Sequence, residues 1–264
     1  MSRRPEHPLV IAHRGASAYK PENTLPTYEL AVDQCADMIE VDLHLTRDGS
    51  IVIAHDRGLE RLGSSGTIAE STLAEIKALD AGYGSDTPAQ VPTLEEVLDA
   101  FGERIPFNLE IKWSASGDYP GLEAQALSLL ESRGLVAETL FSSFRESVLL
   151  RLRQLEPAVR LALLVDPREP AEQQDRMLER AQALGAEALN PSAFLVTEER
   201  VRAAHELDMA VYPYTVNDEE TMHRLLEMGV DGLFTNHPDT LYALRAARGQ
   251  AARSAAPAPP PRSV

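Results

Sequence analysis

Short apolar runs alternate with amphipathic segments along most of the chain. The runs Leu9–Ala12, Ile39–Leu43, Phe107–Ile111, Thr139–Ser142, Arg160–Val165, Glu187–Asn190, Ala210–Tyr214 and Gly232–Thr235 have the length of buried strands. Helical patterns lie between them, at Thr24–Gln34, Thr93–Phe101, Leu122–Ser132, Arg145–Leu155, Pro170–Leu184, Thr197–Glu206, Asp218–Met228 and Pro238–Arg248. Thr93 and Glu96 have the spacing of a capping box, and Gly229 is placed to end a helix. Eight strands alternating with about eight helices predict an α/β fold, a TIM (β/α)8 barrel. An open, doubly wound sheet shares the alternation, but no Gly-x-Gly-x-x-Gly or P-loop follows the first strand. Asp48-Gly49 predicts a tight turn that pairs the second strand with Ile51–Ala54. Gly58–Asp80 then reads as a short insertion of loop and brief helix after the second strand.

These boundaries give one barrel domain over residues 9–248, an N-terminal extension over 1–8, and an Ala/Pro-rich tail over 249–264 whose composition cannot build a core and predicts disorder. The chain has 264 residues and a net charge of −16, with acidic residues spread along it. Such a surface argues against nucleic acid or an anionic membrane as the main partner, and a phosphate-bearing substrate needs local positive charge or a metal. A single cysteine, Cys35, excludes an intrachain disulfide. The apolar run before His13 is too short for a secretory signal or a membrane span. A cytoplasmic protein without stable membrane insertion is expected, and monomer and homodimer fit equally.

In a barrel of this kind the chemistry collects at the C-terminal ends of the strands. His13 and Arg14 end the first strand, Glu40 and Asp42 lie in the second half of the second, and Glu110 and Lys112 end the third. His55 ends the hairpin, Tyr214 and Asn217 follow the seventh strand, and Asn236 and His237 follow the eighth. Glu40 and Asp42 are two apart in a strand and share a face, as do Glu110 and Lys112. Three carboxylates make an all-oxygen site that suits Mg²⁺ or Ca²⁺ better than zinc. The same acids also fit buried ion pairs with Arg14 and Lys112. His13 and His55 titrate near neutrality and suit general acid–base work. Arg14 and Lys112 suit phosphate oxygens, one by its planar fork and the other as a point charge. His44 shares the Glu40/Asp42 face and reads as a packing or supporting residue, while Tyr214 and Phe144 read as pocket wall or core.

The motifs His13-Arg14-Gly15, Pro21-Glu22-Asn23-Thr24, Ile39-Glu40-x-Asp42, Thr46-x-Asp48-Gly49, His55-Asp56, Asn108-x-Glu110-x-Lys112, Ser143-Phe144, Val216-Asn217 and Gly229-Val230-Asp231-Gly232 occur in that order. The series resembles the glycerophosphodiester phosphodiesterase family from about Leu9 to Arg245. Each piece is weak alone, and the ordered set is specific. The resemblance implies a metal-dependent TIM-barrel hydrolase that cleaves glycerophosphodiesters, such as glycerophosphocholine or glycerophosphoethanolamine, to sn-glycerol 3-phosphate and an alcohol. It implies Glu40, Asp42 and Glu110 as ligands of one divalent cation, Mg²⁺ or Ca²⁺, and His13 and His55 as the acid–base pair. Arg14 and Lys112 match its phosphate-contacting positions, and Tyr214 is a candidate substrate-binding residue beside them. Three positions depart from the family pattern: Tyr214 replaces a common Trp, Asn236 a common Asp, and Cys35 a common Gly.

Overall fold

The structure, a computed structural model, describes residues 4–255. Among these residues the strands are β1 (Leu9–Ala12), β2 (Met38–Leu45), β3 (Ile51–Ile53), β4 (Phe107–Ile111), β5 (Trp113–Ser114), β6 (Gly117–Asp118), β7 (Leu140–Ser143), β8 (Arg160–Val165), β9 (Ala188–Pro191), β10 (Ala210–Val211) and β11 (Gly232–Thr235). Eight of them run in parallel in the order β10-β9-β8-β7-β4-β2-β1-β11. Hydrogen bonds from Asp231 N to Val211 O and from Phe234 N to Pro213 O bring the two ends together. The result is the expected TIM barrel, nearly closed, with helices between successive strands.

Alternation along the strands sorts the residues. Outward-facing Val10, Ile39, Val41, Leu43, Leu109, Phe141, Leu161, Leu163 and Leu233 join the large core beneath the helices. Inward-facing Ile11, Met38, Leu140, Ala162, Ala188, Ala210, Tyr212 and Phe234 fill the barrel floor. Two residues further along most of these strands the same interior face turns polar. Met38 gives way to Glu40 and Asp42, Ile11 to His13, Phe234 to Asn236 and Tyr212 to Tyr214. An apolar floor under a polar rim thus follows directly from the period of two.

β3 pairs antiparallel with β2, Leu43 opposite Ile53, as the Asp48-Gly49 turn predicts. The insertion that follows has its own small core of Val52, Ala54, Leu59, Ile68, Ile76 and Val91. The helix Leu94–Phe101 carries the expected capping box: Thr93 Oγ1 accepts from Glu96 N, and Glu96 Oε2 accepts from Thr93 N at 2.8 Å. Thr93→Ala is expected to cost about 1 kcal/mol in urea unfolding, with Thr93→Ser recovering most of it.

The structure departs from the sequence pattern in four places. The seventh barrel strand spans only Ala210–Val211, because Pro191 on the side of β9 and Pro213 on the side of β11 each lack an N–H to donate, although Tyr212 N and Tyr214 N still bond to Leu189 O and Pro191 O. The helix expected over Pro170–Leu184 is two, Ala171–Asp175 and Met177–Ala183, broken at Arg176. A small hairpin of β5 and β6 appears between Lys112 and the next helix. The last helix continues to Ala255, past the Arg248 limit, so the start of the segment expected to be disordered is helical; residues 256–264 lie outside those described. Cys35 adopts φ 61°, the left-handed region a glycine would occupy without strain. Among the described residues no helix is long and apolar enough to cross a membrane.

Candidate active site

The C-terminal mouth of the barrel brings together His13, Arg14, Glu40, Asp42, His55, Glu110 and Lys112. β2 and β4 do most of this. Their register sets Glu40 beside Asn108 and Asp42 beside Glu110, so three carboxylates face one point. Glu40, Asp42 and Glu110 are buried, and each offers an oxygen within 4.8 Å of the others.

Two cations partly compensate this charge. Lys112 Nζ lies 2.9 Å from Asp42 Oδ1 and also donates to Glu110 Oε1. Arg14 Nε lies 3.4 Å from Asp42 Oδ2, and its backbone N–H donates to Glu40 Oε2 at 2.8 Å. Arg14 takes φ 57° to direct that N–H inward. The compensation is uneven. Burial raises the Glu40 carboxyl well above the usual range, and Asp42 and Glu110 add to it. Burial, opposed mainly by Lys112, also raises Glu110. Burial works in the same direction on Asp42, but Lys112 and Arg14 outweigh it and hold that group well below the ordinary Asp value.

Glu40 Oε1 is buried with no hydrogen-bond partner among the described residues. A hard donor set with one uncommitted buried oxygen and surplus negative charge fits a divalent cation. Ion pairs and a cation therefore fit together here, since Lys112 and Arg14 leave Glu40 largely uncompensated.

The two histidines differ in setting. His13 Nδ1 lies 2.8 Å from Asn236 Oδ1, so that nitrogen carries the proton and Nε2 keeps its lone pair, 3.5 Å from Thr215 Oγ1. Burial, then Arg14, lowers its pKa to about 3. His55 is half-buried at the cleft wall, and its Nδ1 donates to Asp56 Oδ1 at 2.7 Å. Its pKa is lowered by burial, with Asp42 opposing. In both rings Nδ1 is the nitrogen fixed by a side-chain partner. His44, on the same face as Glu40 and Asp42, bonds Tyr119 Oη through Nδ1 at 2.7 Å and the His55 carbonyl through Nε2 at 3.2 Å. It steadies the segment that carries His55.

Several contributors have no role assigned in the sequence reading. Asn23 Nδ2 donates to Asp42 Oδ2 at 2.8 Å, and Tyr28 Oη donates to Asn23 Oδ1 at 2.9 Å. Glu22 pairs with Arg14 at 3.0 Å and Arg61 at 3.1 Å, tying the insertion to the barrel rim. Asn23 and Glu22 belong to the Pro21-Glu22-Asn23-Thr24 motif, the available signal. Tyr214 presents its ring to the cleft while its hydroxyl donates to Val165 O at 2.9 Å.

The sequence profile of the "Glycerophosphoryl diester phosphodiesterase family" matches residues 13–240. A Bacillus subtilis glycerophosphodiester phosphodiesterase is 37% identical over 261 residues, covering 91% of this chain and 87% of that protein. A glycerophosphodiester phosphodiesterase from Caldanaerobacter subterraneus is 34% identical over 246 residues, covering 89% and 97%. The solved structure of an Oleispira antarctica phosphodiesterase in complex with the product sn-glycerol-3-phosphate superposes with a TM-score of 0.77 at 30% identity, covering 90% of this chain and 96% of that one. With the profile spanning most of the barrel and these relatives matched along nearly their full length, the chain belongs to the glycerophosphoryl diester phosphodiesterase family and is a phosphodiesterase.

Proposed function

We propose that the enzyme hydrolyses glycerophosphodiesters, such as glycerophosphocholine and glycerophosphoethanolamine, to sn-glycerol 3-phosphate and an alcohol, with one Mg²⁺ or Ca²⁺ held by Glu40, Asp42 and Glu110. The observation that carries this reading is the buried carboxylate triad, its oxygens within 4.8 Å, flanked by two imidazoles and two cationic side chains. The product bound to the Oleispira antarctica neighbour is the one expected here.

When bound, the divalent cation supplies Lewis-acid stabilisation of phosphoryl oxygens and neutralises the triad. Arg14 and Lys112 hold the non-bridging oxygens and stabilise the charge that grows there. A nucleophilic oxygen, from water or from the glycerol hydroxyl beside the ester, gives its proton to one imidazole as it bonds to phosphorus. The other imidazole protonates the alkoxide as the P–O bond to the alcohol breaks. If the hydroxyl is the nucleophile, the cyclic phosphate is then opened by water. His13, sealed and neutral against Asn236, suits the accepting role. His55, partly hydrated and backed by the Asp56 carboxylate, suits the donating one. Tyr214 walls the side of the site where the alcohol leaves.

Chelator treatment is expected to abolish turnover of glycerophosphocholine, and Mg²⁺ or Ca²⁺ to restore it. A thermal scan supplies a readout independent of catalysis: the cation raises Tm of the wild type and not of Glu40→Gln/Glu110→Gln. Full turnover in chelator would overturn the metal-dependent reading.

A further inference from the structure

Two clefts open from the barrel mouth and share His55 and Asp56. The smaller, about 490 Å³, runs between the loop after β1 and the insertion, and Lys20, Glu22 and Arg61 line it. The larger, about 920 Å³, runs from Lys112 past Trp113, Phe144 and Tyr214 to Phe194, which is 92% exposed at its rim. A diester with its phosphorus at the junction has one substituent for each arm.

The arms differ in what they offer. The smaller presents a carboxylate, an ammonium and a guanidinium, groups that exchange hydrogen bonds with a diol. The larger exposes more apolar than polar surface, concentrated on Trp113, Phe144, Tyr214 and Phe194, with charged groups of both signs around it. Trp113 and Phe144 meet edge to face, with ring centroids 6.4 Å apart and planes at 74°, and Phe144 and Tyr214 likewise at 5.8 Å and 89°. The Tyr214 hydroxyl is committed to Val165 O, so that residue offers its ring and not a donor.

Aromatic faces attract cations, most strongly when the cation sheds little water. The Arg145 guanidinium already sits 5.9 Å from the Trp113 ring, which shows this wall engaging a cation. Asp56, Asp166, Glu169 and Asp218 line the same cleft, balanced by Arg57, Lys112, Arg168 and Arg224. Asp166 is paired with Arg168 and Glu169 with Arg180, so the three rings, not a net charge, distinguish this wall.

We propose that the larger arm receives the alcohol half of the diester and selects a quaternary ammonium alcohol over a polyol, with Trp113, Phe144 and Tyr214 as the specificity-determining wall. This rests on the glycerophosphodiesterase reading of the site. A trimethylammonium group needs no hydrogen-bond donor, and its methyl surface covers the rings while its charge meets their quadrupole. A glycerol or inositol group laid against the three rings would lose water hydrogen bonds that the rings do not replace.

The test compares kcat/KM of the metal-loaded enzyme for three esters of glycerol 3-phosphate: choline, the neutral 3,3-dimethylbutyl isostere of choline, and glycerol. The choline ester is expected to lead both others by about tenfold. Trp113→Leu and Phe144→Leu should each move the choline-to-dimethylbutyl ratio toward one, and Trp113→Phe, which keeps a ring, should retain most of it. Tm of each variant establishes folding. Equal rates for the choline and dimethylbutyl esters in the wild type, or a ratio unmoved in a folded Trp113→Leu/Phe144→Leu enzyme, would overturn the selectivity while leaving hydrolysis standing. No turnover of any ester would overturn both.

Discussion

Replacing His55 by alanine is expected to lower kcat/KM on glycerophosphocholine by about 10²–10⁴, with little change in Tm. The reason lies in its placement. The ring is part of the cleft wall and not of the core, and among the described residues its side chain hydrogen-bonds only to Asp56. Its loss therefore removes a proton-transfer group while leaving the packing intact. His13→Ala is expected to cost a similar factor in rate, but it also strands Asn236 Oδ1 and opens a cavity beside Arg14, so some stability goes with it. The double variant should be only slightly worse than the poorer single, because the two groups serve one step and their effects do not add. Asp56→Asn separates orientation from proton transfer. It keeps a hydrogen-bond acceptor for Nδ1 but removes the charge that supports a protonated ring, so a smaller loss in kcat and a shifted pH profile are expected. Steady-state kinetics over pH 5–9 supplies the comparison. A His55→Ala enzyme within tenfold of wild type would remove His55 from the chemistry and leave it a wall residue.

Much of this site is legible in the sequence because it rests on one-dimensional rules. Two carboxylates at i and i+2 in an apolar run must share a strand face, and Glu110 and Lys112 repeat the pattern on the neighbouring strand. What a linear reading lacks is register. Nothing along the chain says that Asp42 sits opposite Glu110 rather than Asn108, yet that register is what makes a triad of the three acids. The supporting residues are obscure for the same reason. Asn236 reaches His13 across 223 positions, and Asn23 reaches Asp42 from a loop whose polar residues suit a turn equally well. The Asn236 departure from the family's usual Asp gains meaning only in three dimensions, where an amide, not a carboxylate, fixes His13 through Nδ1. Trp113 is hidden in another way. It follows Lys112 directly and reads as the end of a strand, whereas a two-residue hairpin turns it onto the cleft wall. The barrel strand before Tyr214 shows the limit of hydrophobic patterning, since Pro191 beside it and Pro213 within it shorten a ladder that the apolar run alone would extend.

Lys112→Met is expected to destabilise the cation-free protein by about 3–5 kcal/mol, the usual result of removing one partner of a buried ion pair. The methionine fills the volume, so the loss is electrostatic. In the wild type the ammonium, buried at the barrel mouth, sits 2.9 Å from Asp42 and also bonds Glu110, and these two acids outweigh the effect of burial and raise its pKa. Without it, Asp42, Glu110 and Glu40 share a buried space with Arg14 as the nearby cation. For a chain of this size the change corresponds to a Tm fall on the order of 10 °C. Its pH dependence follows from Asp42. That carboxyl titrates below its unfolded value in the wild type, so its stabilisation is fully present above the unfolded Asp pKa and is lost as pH falls through the folded one. The variant forfeits most of this depression. The gap between the two proteins should thus be widest near neutrality and narrow as the pH drops below the ordinary Asp range. Mg²⁺ or Ca²⁺ should raise Tm of the variant more than that of the wild type, because a cation among the three acids replaces charge that Lys112 supplied. Thermal scans of both proteins with chelator and with each ion, at pH 4 and pH 7, provide these comparisons. A loss under about 1 kcal/mol at pH 7, the scale of an exposed pair, would mean that the acids are hydrated rather than clasped around Lys112, and the preformed cation site would go with them.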